Sequence, residues 1–112
     1  MSARVTLTKA QGAEVELGRF VRVKLPESPA SVLVGRVDGV WRAYQNVCRH
    51  RALPLDLGAR SPMSDDGEFL LCHQHGALYR RRDGLCVVGP CAGERLAPVD
   101  IVAEGEELVL EA

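Results

Sequence analysis

All three histidines and two of the four cysteines of this chain fall in two short segments, Cys48-Arg49-His50 and Cys72-His73-Gln74-His75-Gly76. That concentration points to a metal site built from two facing loops. Each loop offers one soft thiolate and one imidazole, so the candidate ligands are Cys48 and His50 on one side and Cys72 and His75 on the other. The mixing of donor types within each loop constrains the site further.

Zinc also accepts two cysteines and two histidines, but its usual spacing sets Cys with Cys and His with His. Cys-x-His followed by Cys-x-x-His fits that pattern poorly. A 2Fe–2S cluster makes a different demand, because its two irons lie side by side and each takes two protein ligands. If one iron takes both thiolates and the other both imidazoles, two loops can each give one ligand to each iron. A structural zinc, or a Cys48–Cys72 disulfide beside two surface histidines, remains as an alternative.

Cys-x-His, a gap of 21 residues and then Cys-x-x-His-Gly resembles the Rieske iron–sulfur motif. Leu53-Pro54-Leu55 is similar to the hydrophobic-Pro-hydrophobic stretch after that family's first ligand loop, and Gly76-Ala77-Leu78-Tyr79 to the Gly-x-x-aromatic run after its second. Asp83-Gly84 and Gly89-Pro90 resemble the turn and the proline-bearing third loop that covers the cluster. The resemblance covers roughly the last two thirds of the chain. It implies one 2Fe–2S cluster, with Cys48 and Cys72 on the inner ferric iron and His50 and His75 on the outer iron, nearest solvent.

Such a ligand set has an electrostatic consequence. An oxidised 2Fe–2S core carries two positive charges, so two thiolates and two neutral imidazoles bring the site to zero, whereas four thiolates leave it at minus two. The added electron then meets less negative charge, and the potential rises to about −150 to +300 mV, against about −400 mV for plant-type four-cysteine clusters. High-potential members of the family carry one more cysteine in each ligand loop, joined as a disulfide; here those places hold Leu53 and Gln74. The resemblance therefore implies the low-potential, ferredoxin-like branch, which lacks a membrane anchor.

The first residues, Met-Ser-Ala-Arg-Val-Thr-Leu-Thr-Lys, contain no apolar run long enough for a signal peptide or a spanning helix. A cytoplasmic, soluble protein with no membrane partner is expected. A formal net charge of −1 gives no basic face for nucleic acid. Cys86 and Cys91 flank the third loop and are expected as two small, partly buried apolar residues; a Cys86–Cys91 disulfide is the rival, disfavoured in a reducing compartment.

The 112 residues leave room for one domain, 1–112, with one modest core. The local pattern predicts an all-β, antiparallel Rieske-like base, a sandwich or barrel, with a smaller cluster-binding subdomain over about 46–90. Val21 to Leu25 alternates apolar with basic, and Val32 to Val34 and Val40 to Tyr44 flank the hairpin signal Asp38-Gly39. Further strands are expected at Phe69 to Leu71, Ala77 to Tyr79, Pro98 to Val102 and Glu107 to Leu110. Pro26 to Pro29 reads as a loop and Lys9 to Glu14 as a single helical turn. Ser61 to Gly67 reads as an exposed connection.

Among the charged and titratable residues near the ligands, Arg49 and Arg51 bracket His50, where a cation would raise the potential or dock an acidic partner. Arg80-Arg81-Arg82 reads as a solvated strand end. His73, adjacent to Cys72, is predicted not to be a ligand. The chain shows no nucleophile-and-base pair and no nucleotide-binding glycine loop. An electron-transfer component with no catalytic chemistry of its own is therefore expected. The resemblance implies a Rieske-type ferredoxin carrying electrons from a ferredoxin reductase to a terminal oxygenase. The alternative is a small Rieske subunit or accessory module of a larger oxidoreductase such as a nitrite reductase.

Overall fold

Short runs of β-branched residues separated by Gly, Pro and Asp turns favour strands over helices. The computed structural model, which describes residues 2–26, 31–49, 53–56, 61–74 and 76–111, is built accordingly. Its elements are β1 (Ser2–Val5), α1 (Lys9–Glu16), β2 (Val21–Val23), β3 (Val32–Val37), β4 (Val40–Gln45), β5 (Phe69–Leu71), β6 (Leu78–Arg80), β7 (Cys86–Val88), β8 (Asp100–Glu104) and β9 (Glu107–Glu111). They form three antiparallel sheets of three strands, ordered β1-β9-β8, β2-β3-β4 and β5-β6-β7. The all-β expectation holds.

Between β3 and β4 the hairpin turn is made by Asp38 and Gly39, at φ 51° and 78°, with Val37 paired to Val40. Two successive positive φ values are what a two-residue turn needs to match the twist of its strands. The expected single turn at Lys9 to Glu14 is a helix reaching Glu16. Its N-terminus is fixed by a capping box: Thr8 Oγ1 accepts from the Gln11 N–H at 3.1 Å, and Gln11 Oε1 accepts from the Thr8 N–H at 2.9 Å. Strands β1 and β7 were not expected from the sequence. The expected loop at Pro26 to Pro29 lies, from residue 27 on, outside the described residues.

The middle sheet is buried on both faces. Alternate residues of a strand point to opposite sides, and Val32, Val34 and Ala43 join one apolar cluster with Val99, Leu108 and Leu110. From the other face, Leu33 and Tyr44 join a second cluster with Phe20, Leu55, Leu70, Tyr79 and all four cysteines. The single core expected from chain length is thus divided by one sheet into a base core and a thiol-rich core. Gly35 permits this layering, since a Cβ there would lie 2.5 Å from the Phe20 ring, which itself stacks on Tyr44 with centroids 5.9 Å apart.

Two side chains bolt the third sheet to the rest. Tyr44 donates its hydroxyl to the Arg81 carbonyl at 2.7 Å, and the Arg81 guanidinium donates to the Gly18 carbonyl at 2.8 Å and the Glu68 carbonyl at 3.2 Å. Arg80 pairs with Asp83. Of the basic run read as solvated, Arg82 is exposed, whereas Arg80 and Arg81 are structural.

Removing the Tyr44 hydroxyl leaves the Arg81 carbonyl without its donor, so Tyr44→Phe is expected to cost about 1 kcal/mol in urea unfolding. Burial raises the Tyr44 phenol from 10.0 to about 12. The folded state therefore keeps a proton that the unfolded chain releases, and the Tyr44 share of stability is present below pH 10 and lost as pH climbs towards 12. Stability curves of the Tyr44→Phe protein should fall less steeply across that window; an unchanged slope would refute the assignment.

Candidate metal centre

Each candidate thiol heads a loop closed in the same way. Cys48, after β4, donates its N–H to the Leu53 carbonyl at 2.7 Å, and Cys72, after β5, donates its N–H to the Ala77 carbonyl at 2.9 Å, in both cases to the fifth residue on. Gly76, at φ 70°, turns the second loop so that its N–H meets the Cys72 carbonyl at 2.9 Å. The loops are also joined to each other, by the His73 N–H and the Leu55 carbonyl at 2.9 Å.

Both thiols are buried, Cys48 to 1% exposure and Cys72 to 0%. His50 and His75 lie outside the described residues, as does Arg51. His73 is engaged elsewhere, with Nε2 2.5 Å from the Ser61 carbonyl. That contact ties the second ligand loop to the connection that follows the first, a use the sequence did not indicate.

At the centre of the thiol-rich core is the Tyr79 hydroxyl. It accepts from the Arg49 backbone N–H at 3.1 Å and from the Cys91 thiol at 3.1 Å, and it lies 3.5 Å from Cys48 Sγ. Burial, then the contacts with Cys91 and Cys48, hold the phenol well above its ordinary value, so it keeps its proton. Cys86 donates its thiol to the Val88 carbonyl at 3.3 Å, and burial followed by the Cys91 contact pushes it up to about 12. Cys86 and Cys91 are free thiols, buried as expected, but each is hydrogen-bonded and neither is mere apolar filler.

A third layer of support lies beneath the first loop. Asn46 Oδ1 accepts from the Leu55 N–H at 2.9 Å, while its Nδ2 donates to Asp56 Oδ1 at 3.1 Å and Ser31 Oγ at 3.0 Å. Arg22, on β2, reaches Asp56 Oδ2 at 3.3 Å. The third loop closes over the second at Gly89, where a Cβ would come within 3.1 Å of Ala77.

The described residues fit a 2Fe–2S group. Two soft donors on two alike loops are enclosed in one apolar cluster, and carrying them as thiolates there calls for compensating positive charge. Gln74 Oε1, in the second ligand loop, is a buried acceptor with no partner among the described residues. Sequence reasoning missed Tyr79, Cys91 and Asn46 as supports of this site. The sequence marks Tyr79 as an aromatic, and its hydroxyl together with a cysteine directly after Gly89-Pro90 is the signal that points to the support.

The family model for the Rieske [2Fe-2S] domain matches residues 6–105. A comparison with curated protein sequences finds no significant match. Among solved structures, the chain is similar to a chain in the complex of reduced oxygenase and oxidized ferredoxin of carbazole 1,9a-dioxygenase, at 20% identity and TM-score 0.69, over 98% of this chain and 92% of that one. It is similar to the ferredoxin of carbazole 1,9a-dioxygenase from Nocardioides aromaticivorans IC177, at 20% identity and TM-score 0.64, over 97% of each chain. It also matches the terminal oxygenase of carbazole 1,9a-dioxygenase from Novosphingobium sp. KA1 at 27% identity and TM-score 0.70, over 99% of this chain but only 29% of that one. With the two thiol-bearing loops, the motif between residues 48 and 76 and a family match across most of its length, the chain belongs to the Rieske family, whose domain binds a single 2Fe–2S cluster.

Proposed function

We propose that this protein is a one-electron carrier, a Rieske-type ferredoxin that takes electrons from a ferredoxin reductase and passes them to a terminal oxygenase in the cytoplasm. Cys48 and Cys72 hold one iron of the cluster and His50 and His75 the other, within one domain, 1–112, whose cluster-binding part spans about 46–90. The observation that carries this reading is the pair of buried thiols on two loops closed by the same backbone bond and tied to each other. The likeness to ferredoxins of carbazole dioxygenase supports the choice of partner.

When bound, the cluster supplies a site that takes up and gives back a single electron. The protein keeps water from the sulfurs by burying Cys48 and Cys72 among Leu55, Leu70, Ala77 and Tyr79. Asn46 and Asp56 fix the first loop to the base, so little rearrangement accompanies a change of charge. Leu53 in the first loop and Val87 and Val88 beside the third are exposed apolar side chains, suited to a brief, dry contact with a partner.

A specific observation favours a second reading, as a module of a larger oxidoreductase: the match at 27% identity is to part of a terminal oxygenase chain. The two differ in how partners bind. Transient, salt-sensitive docking fits the ferredoxin, and a stable stoichiometric complex fits the module.

The dithionite-reduced protein, prepared without air, is expected to give a rhombic electron paramagnetic resonance signal with an average g below that of four-cysteine ferredoxins. A colourless, silent sample with stoichiometric zinc would overturn the electron-transfer reading. The histidines separate in the same experiment. His73→Ala should leave the visible spectrum intact, since its ring bonds to Ser61, whereas His75→Ala should abolish or convert the cluster; the reverse pattern would refute the ligand assignment.

A further inference from the structure

A phenol oxygen has one proton to donate and two places at which to accept. At Tyr79, which is fully buried, three groups compete for those places. The Arg49 backbone N–H, 3.1 Å away, can only donate. Cys91 donates its thiol from 3.1 Å. Cys48 Sγ, at 3.5 Å, stands in a contact where either atom can supply the proton. With both acceptor places taken by Arg49 and Cys91, the Tyr79 proton has one direction left, towards Cys48.

We infer that Cys91 is a positioning residue: by donating to Tyr79 it holds the phenol proton on Cys48 Sγ and so raises the reduction potential of the cluster that Cys48 helps to hold. The inference rests on the reading of Cys48 as a ligand. A donor aimed at a ligand sulfur draws negative charge away from the metal and favours the reduced, more negative state. Among the described residues of the third loop, Cys91 is the one hydrogen-bonded to the Tyr79 hydroxyl. Cys86 spends its proton on the Val88 carbonyl at 3.3 Å, and Gly89 and Pro90 offer no side-chain donor. Arg49 contributes a backbone N–H that every substitution except proline leaves in place, which leaves Cys91 as the adjustable side chain of the set.

The test is a redox titration of the holoprotein, followed by its visible spectrum, for native protein, Cys91→Ala, Cys91→Ser, Tyr79→Phe and the double variant Tyr79→Phe/Cys91→Ala. Loss of the Tyr79 donor should move the oxidised-to-reduced ratio at fixed potential about tenfold towards oxidised, about 59 mV for a one-electron couple. Cys91→Ala should shift it in the same direction by a smaller factor, roughly threefold, because the phenol proton can then turn to the vacated side. Cys91→Ser keeps a donor of similar size and should restore most of the native value. In the Tyr79→Phe background, Cys91→Ala should add nothing.

An unmoved potential in Cys91→Ala, or the same shift with and without the Tyr79 hydroxyl, would overturn the inference. So would a Tyr79→Phe protein with the native potential. If the native protein itself lacks the rhombic reduced signal, the cluster reading fails first; if that signal is present and the potentials do not follow this pattern, only the role of Cys91 falls.

Discussion

Burying loops is expensive because their backbone groups have no neighbouring strand to bond to, and an unpaired buried N–H or C=O costs about 1–3 kcal/mol. This protein buries the ends of two such loops, Cys48, Leu55 and Asp56 of the first and Cys72 and Ala77 of the second, and the Asn46 side chain makes the arrangement possible for the first. Fully buried, it takes the place of a missing strand: it accepts from Leu55, donates to Asp56 and Ser31, and is held by its own N–H on the Ser31 carbonyl at 2.9 Å. Asp56, also buried, would be a costly charge without Arg22 and the Asn46 amide. Cys48 therefore hangs from a loop whose far end is fastened to the base sheet.

The two thiol-bearing loops stay in register with no disulfide where Leu53 and Gln74 stand. Their ties are non-covalent: the His73 N–H on Leu55, the His73 ring on Ser61 and the Tyr79 hydroxyl between Arg49, Cys48 and Cys91. Each is worth only about 1 kcal/mol net; the contacts of Tyr79 with Cys48 and Cys91 are buried, where a hydrogen bond is electrostatically stronger than at the surface, while the His73 ring meets Ser61 in an exposed position. The middle sheet supplies the rigid backing. Its two buried faces let one pair of strands, β3 and β4, support the base core on one side and the thiol-rich core on the other.

What could be read from the sequence was what is decided locally or by chemistry that few residue types perform. The Asp38-Gly39 hairpin follows from two adjacent residues that tolerate positive φ, and the ligand loops from the scarcity of His and Cys elsewhere. Strand β1 was hidden because Ser2 pairs with Glu111 at the opposite end of the chain, and no local pattern announces such a partner. Strand β7 was hidden because Leu85 to Cys91 matched a loop motif, although Cys86 opposes Tyr79 in the ladder. The capping box at Thr8 and Gln11 is a local signal, Thr followed three residues later by Gln, that extends the helical turn at Lys9 into a helix. Tyr79 shows a deeper limit: the sequence identifies an aromatic, but which atoms its hydroxyl meets depends on three loops arriving together.

That convergence links folding to electron transfer. The Tyr79 ring fills the thiol-rich core as any large aromatic would, so its burial is accounted for by packing alone. Its hydroxyl is different, because a buried O–H must find partners, and the fold satisfies it with the Arg49 backbone N–H, the Cys48 sulfur and the Cys91 thiol. The polar requirement of a single core residue thereby couples the third loop to Cys48 through the Tyr79 hydroxyl. With Cys48 as a ligand, as proposed, packing and redox tuning are carried by the same side chain.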